Sequence, residues 1–200
     1  MRGIIVIGFS VAALMLVMAC AENDKNEEKK ILEKGDSGMK LLSSAFNEGE
    51  MIPEEYTCDS VDVSPELLFE GIPEGTKSLA LICDDPDAPS GLWVHWVIFN
   101  IAPVTQMLPR DISKDLRPVI GGDSSNFAIQ GRNDFGRYGY GGPCPPRGPA
   151  HRYFFKLYAL DMELEFETQK IEEGITAKGL MVGMKDHIID STSLMGKYKR

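Results

Sequence analysis

Between Asp85 and Trp96 the chain reads DPDAPSGLWVHW, which sets two carboxylates and an imidazole within a dozen positions. Such a set can orient a ring, hold an anion through a charged imidazole, or move a proton. Prolines at 86 and 89 fix φ and remove backbone donors, so Asp85 and Asp87 belong to a turn rather than to the interior of a ladder. The apolar runs SLALIC before and VIFNI after place this polar stretch at the edge of a core. Strand alternation past the turn predicts Trp93, His95, Val97 and Phe99 on one face and Val94, Trp96 and Ile98 on the other. A titratable ring in that apolar company needs a polar partner or a ligand, and the nearby aspartates are the candidates for the partner.

A second polar cluster runs from Gly139 to Tyr153, GYGGPCPPRGPAHRY. Its glycines and prolines make a loop that is stiff yet lets a ligand approach main-chain N–H groups, so it suits an anion. It lacks the GKS or GKT ending of a nucleotide-binding loop. His151 and Tyr153 then open a strand whose inward face continues through Phe155, Leu157 and Ala159. The chain has no HExxH pair, GxSxG elbow or CxxC spacing, so neither a metal nor another cofactor is expected. Catalysis by the two aspartates and two histidines is the least favoured reading, because no thiol is clearly matched to a base. Taken singly, an aspartate turn, a core histidine or a glycine loop is more often structural than functional.

These groups need strands to position them. Met39 to Phe46, Leu67 to Phe69, Ser78 to Cys83, Leu92 to Ile101 and Arg152 to Leu160 are rich in β-branched, aromatic and aliphatic residues bounded by Gly, Pro or Asp. Arg110 to Gly148 shows little periodicity and reads as irregular surface structure. Thr176 to Ser191 sets Leu180, Met184, His187, Ile188 and Ser191 along one helical stripe, with Thr176 as N-cap. Strands joined by loops rather than helices predict a mainly β fold: an antiparallel β-sandwich of two sheets with long loops and a C-terminal helix. A mixed α+β arrangement is the alternative.

The ends read differently. Residues 3 to 19 are uncharged and follow Arg2, as in a secretory signal, and Val17, Met18, Ala19 and Cys20 resemble the lipobox of bacterial lipoproteins. That resemblance implies a signal peptide over residues 1–20 with lipid on Cys20; an uncleaved anchor is the alternative. Residues 21–38 hold ten charged side chains in eighteen positions and read as a flexible tether, with a reach of up to roughly 60 Å at ~3.3 Å per residue. Residues 39–200 are then one domain in the cell envelope, on the extracytoplasmic side of a membrane. The formal net charge of −9 disfavours nucleic acid as a partner. In an oxidising compartment Cys58 and Cys144, both in turn-rich sequence, are candidates for a disulfide, with two free thiols as the alternative. Cys83 reads as a small buried thiol.

DPDAPSGLWVHW at 85–96, GRNDFGRYGYGGPCPP at 131–146 and HRYFFKLYAL at 151–160 resemble the phosphatidylethanolamine-binding protein family, in its bacterial Raf-kinase-inhibitor-like branch. The similarity runs from about Lys40 to Tyr198. It implies a two-sheet sandwich with a small anion pocket to which Asp85, Asp87, His95, Gly142, Pro143, His151 and Tyr153 contribute. The family's C-terminal aromatic pocket residue has no counterpart in the predicted helix. The expected function is a non-enzymatic binding module for a phosphorylated small molecule or lipid headgroup. The alternative is an inhibitor or regulator of another protein, for example a protease.

Overall fold

The computed structural model describes residues 38–120 and 127–200. The leader, Cys20 and nearly all of the charged segment 21–38 lie outside the described residues. Eight strands follow in order: β1 (Lys40–Ser43), β2 (Leu67–Glu70), β3 (Ser78–Asp85), β4 (Trp93–Ile101), β5 (Met107–Leu108), β6 (Ile129–Gln130), β7 (His151–Leu160) and β8 (Ile188–Tyr198). Two short helices, α1 (Thr168–Glu173) and α2 (Ala177–Met184), lie between β7 and β8. The strands form an antiparallel sandwich, with a three-stranded sheet ordered β1-β2-β5 and a five-stranded sheet ordered β6-β4-β3-β7-β8.

Each face of the large sheet is largely apolar and covered. Its inner face, with Leu79, Leu81, Trp96, Ile98, Phe155 and Leu157, packs on Leu41, Leu67, Phe69 and Leu108 of the small sheet. Its outer face, with Ala80, Ile82, Val97, Phe99 and Tyr158, packs on Leu164, Ile175, Leu180 and Met184 in and around the helices. Full burial of such side chains contributes roughly 1.5–3 kcal/mol apiece, which holds the central strands β3, β4 and β7 as a rigid support.

Strict alternation fails at the position that matters most. Cys83 pairs with Trp96 and Asp84 with Val94, so His95 is an extra residue on β4, a β-bulge. Val94 therefore joins Val97 and Phe99 on the outer face. His95 turns to the inner side with Trp96 and meets the ring of Tyr153 at a centroid distance of 5.1 Å. The expected grouping of His95 with Val97 and Phe99 is thus corrected.

The C-terminal stripe is also corrected. Thr176 does cap a helix, its side chain accepting from Gly179 N–H, but α2 ends at Met184. Asp186 then takes a left-handed φ of 69°, and the chain returns as β8, paired with β7 from Ile188 opposite Leu160 to Tyr198 opposite His151. The helix precedes the last strand and does not close the chain. Ile188 and Ser191 fit a helical period, yet a ladder to a strand about forty residues away outweighs that local pattern. The described residues between Arg110 and Gly148 are irregular apart from β6, but they are not all surface: Gly139 to Pro143 are buried.

Candidate functional site

The inner face of the large sheet ends in polar groups. Asp85 continues the row of Leu79, Leu81 and Cys83, and His151 and Tyr153 continue the row of Phe155 and Leu157. The two strands are adjacent and antiparallel, so the end of β3 meets the start of β7. The bulge adds His95 from β4. Asp85, His95, His151 and Tyr153 are all buried.

Asp85 orients His151. Its Oδ2 lies 2.8 Å from His151 Nδ1, and a carboxylate oxygen can only accept, so Nδ1 carries a proton and Nε2 is the remaining polar atom of the ring. Oδ1 of the same carboxylate accepts the Asp87 N–H at 2.8 Å, which closes the turn that Pro86 permits. Asp87 itself faces Arg152. Its Oδ2 accepts from Arg152 N–H at 3.0 Å and from Nε at 2.8 Å, and its Oδ1 from Nη2 at 2.7 Å. That clamp holds the Asp87 carboxyl down to about 2. Asp87 thus braces the turn from outside, and Asp85 is the carboxylate that faces the imidazole.

Tyr153 is fully buried, and its hydroxyl has no hydrogen-bond partner among the described residues. Burial, and then the Asp85 charge, raise its pKa far above the ordinary range, so it stays protonated as a donor. A buried hydroxyl left without a partner costs about 1–3 kcal/mol. The Asp85 charge reaches it without a well-formed hydrogen bond.

His95 donates Nδ1–H to the Gly141 carbonyl at 2.6 Å. Burial holds its pKa below the usual value, opposed by the Gly141 carbonyl and by the Asp85 charge. Its exposed-side neighbour is Phe135, 5.3 Å from the imidazole and 5.5 Å from Trp93, with the Arg137 guanidinium over the Phe135 ring. Phe135 remains exposed, so the site has an apolar edge beside His95.

The glycine loop reaches the site by lying along the outer edge of β4. Gly131 N–H donates to Val97 O, Asp134 N–H to Val94 O and Gly141 N–H to His95 O. The Gly142 N–H donates to Asp62 Oδ1 at 2.6 Å, so the Gly141 and Gly142 amides are both occupied within the protein. Of the loop amides expected to be open to a ligand, these two are bonded within the protein instead. Glycine is required there because a Cβ would lie 2.3 Å from Tyr56 O. Pro143 accepts the Cys58 N–H, and Cys58 is bonded to Cys144 with the Cα atoms 5.4 Å apart. Cys83 is a buried free thiol, raised by burial.

The phosphatidylethanolamine-binding protein model matches residues 42–199, which contain every residue of this cluster. The chain belongs to the phosphatidylethanolamine-binding protein family. A UPF0098 protein of Methanothermobacter thermautotrophicus is 45% identical over 162 residues, covering 81% of this chain and 99% of that relative. Another, from Aquifex aeolicus, is 44% identical over 172 residues, covering 86% of this chain and 94% of the relative. Among solved structures, a phosphatidylethanolamine-binding protein homologue from Chlamydia trachomatis is 40% identical with a TM-score of 0.69. It is covered over 99% of its length by 82% of this chain. Escherichia coli YbcL, described as a member of the mammalian family, is 31% identical with a TM-score of 0.71 and the same coverage.

Beside the motif residues, this family member uses side chains that sequence reading passed over. Asp62 and Phe135 touch the loop and the ring of His95, and Tyr198 lies opposite His151 in the β7–β8 ladder, its hydroxyl donating to Asp59. Tyr198 is a C-terminal aromatic beside the cluster, supplied by a strand. Asp62 carried no sequence signal, but the exposed Phe135 sits inside the quoted motif GRNDFGRYGYGG.

Proposed function

We propose that the domain is a binding module, without chemistry of its own, for a phosphorylated headgroup or phosphomonoester. The observation that carries this is the buried Tyr153 hydroxyl without a partner, set beside the Asp85–His151 pair and His95. A phosphate oxygen in hydrogen-bond reach of that hydroxyl satisfies it, and when the His151 ring is protonated its Nε2–H donates a second hydrogen bond to the same group. Neutral His95 keeps Nε2 as an acceptor, which suits a ligand that also brings an N–H or O–H. Asp87 is matched by the Arg152 guanidinium, and Asp85 is hydrogen-bonded to the His151 ring. Two carboxylates at the site favour a zwitterion or monoester over inorganic phosphate.

Among the described residues of the cluster none is an activated nucleophile, which supports binding over turnover. Burial keeps the Cys83 thiol and the Tyr153 hydroxyl protonated. We further propose that the domain is held outside the cytoplasm by lipid on Cys20 through the charged segment 21–38. The lipobox-like residues support this, as does the Cys58–Cys144 bond, since disulfides persist in oxidising compartments. Calorimetry with phosphoethanolamine from pH 5 to 8 tests the binding reading: saturable heat in wild type that is lost in His151→Ala supports it, and no heat at any pH sinks it.

A further inference from the structure

The peptide unit that joins Gly141 to Gly142 is bonded at both ends to titratable side chains. Its carbonyl oxygen accepts from His95 Nδ1 at 2.6 Å, and its N–H donates to Asp62 Oδ1 at 2.6 Å. A carbonyl can only accept, so Nδ1 of His95 keeps its proton whether the ring is charged or neutral, and the neutral ring is bare at Nε2. A carboxylate at the N–H end draws that amide's electrons toward its own carbonyl oxygen. Linked hydrogen bonds strengthen one another in this way. We propose that Asp62 is the positioning residue for His95: through this one peptide it fixes the tautomer of the imidazole and supports its charged form, without touching the ring.

Asp62 is itself over-determined. It is a non-glycine residue at a left-handed φ of 60°, a conformation that persists only where the surroundings impose it. Lys114 Nζ donates to its main-chain oxygen at 2.9 Å and to Oδ2 at 3.0 Å, and Arg137 Nη2 donates to the same Oδ2 at 3.2 Å. Oδ2 therefore answers the two cations and Oδ1 is left to the Gly142 N–H. The Tyr140 hydroxyl donates to Tyr56 O, which ties the same two segments one step away. On the other side, the charges of Asp85 and Asp134 act on His95 directly, and Tyr153 and Phe135 pack against its ring.

The relay rests on no ligand, so its test needs none and is independent of the binding reading. Long-range proton–nitrogen spectra of the labelled protein across pH 4 to 8 read the tautomer and titration of His95, with the surface residue His187 as control. In wild type, His95 shows a protonated Nδ1 and a bare Nε2, and the Gly142 amide proton shifts with the same midpoint as the ring. In Asp62→Asn the His95 midpoint falls by about half a unit or more, roughly threefold in proton affinity, while His187 is unmoved. In Asp62→Ala the tautomers mix; should that variant not fold, Asp62→Asn decides alone. Unchanged tautomer and midpoint in a folded Asp62→Asn protein overturn the proposal. So does a lowered midpoint without co-titration of the Gly142 amide in wild type, because that is charge acting through space.

Discussion

Asp85 and His151 come from adjacent strands, and each completes the other: the carboxylate oxygen sits 2.8 Å from Nδ1, and both groups are buried. Removing one member of a buried pair leaves the other without compensation, at a cost of about 3–5 kcal/mol. Asp85→Ala is therefore expected to lower stability by about 3 kcal/mol and phosphoethanolamine affinity by tenfold or more. Urea denaturation and calorimetry on the same preparation check both.

Tyr153→Phe separates function from fold. Its hydroxyl makes no hydrogen bond within the described protein, so deletion is expected to leave stability unchanged or raise it by up to about 1 kcal/mol. Affinity for a phosphomonoester is expected to fall at the same time. A clear loss of stability in urea denaturation, with binding intact, would mark the hydroxyl as structural.

The pH dependence of stability has a predictable sign. Burial holds His95 below its ordinary value of 6.5, so the unfolded chain takes up the proton more readily than the folded one. The His95 contribution is complete above 6.5 and is lost as pH falls below it. Asp87, held to about 2 by Arg152, loses its contribution only as pH falls from 3.8 toward that value, well below the point at which the His95 loss begins. Melting temperatures of wild type and His95→Gln between pH 7.5 and 5 are expected to show the steeper decline in wild type.

The Cys58–Cys144 bond closes a span of 86 positions and joins the Asp62 segment to the glycine loop. Its removal in Cys58→Ser/Cys144→Ser is expected to cost about 2–4 kcal/mol. Ligand affinity is expected to fall as well, because the loop that holds His95 loosens. Urea titration and calorimetry of the double variant, compared with reduced wild type, read both effects.

Much of the sandwich was legible because β3, β4 and β7 are long apolar runs with sharp boundaries, and Asp85, His95, His151 and Tyr153 are placed by the motifs that begin or end them. What was hidden depends on pairing between distant segments. The start of β8, from Ile188 to Ser191, reads as helix until its ladder to β7 is seen, and the bulge at His95 exists only as a mismatch between two strands. The fate of the Gly142 amide depends on Asp62, eighty positions earlier, and no spacing in the chain announces that contact.

We propose that Asp85, His95, His151 and Tyr153 form one ligand site. Amide-shift mapping of the protein titrated with phosphoethanolamine near pH 6.5 tests it most directly. Saturable shifts concentrated at Asp85, His95, Gly141, His151 and Tyr153, absent in His151→Ala, are the predicted result. Shifts that do not saturate, or that fall outside these residues, would contradict it.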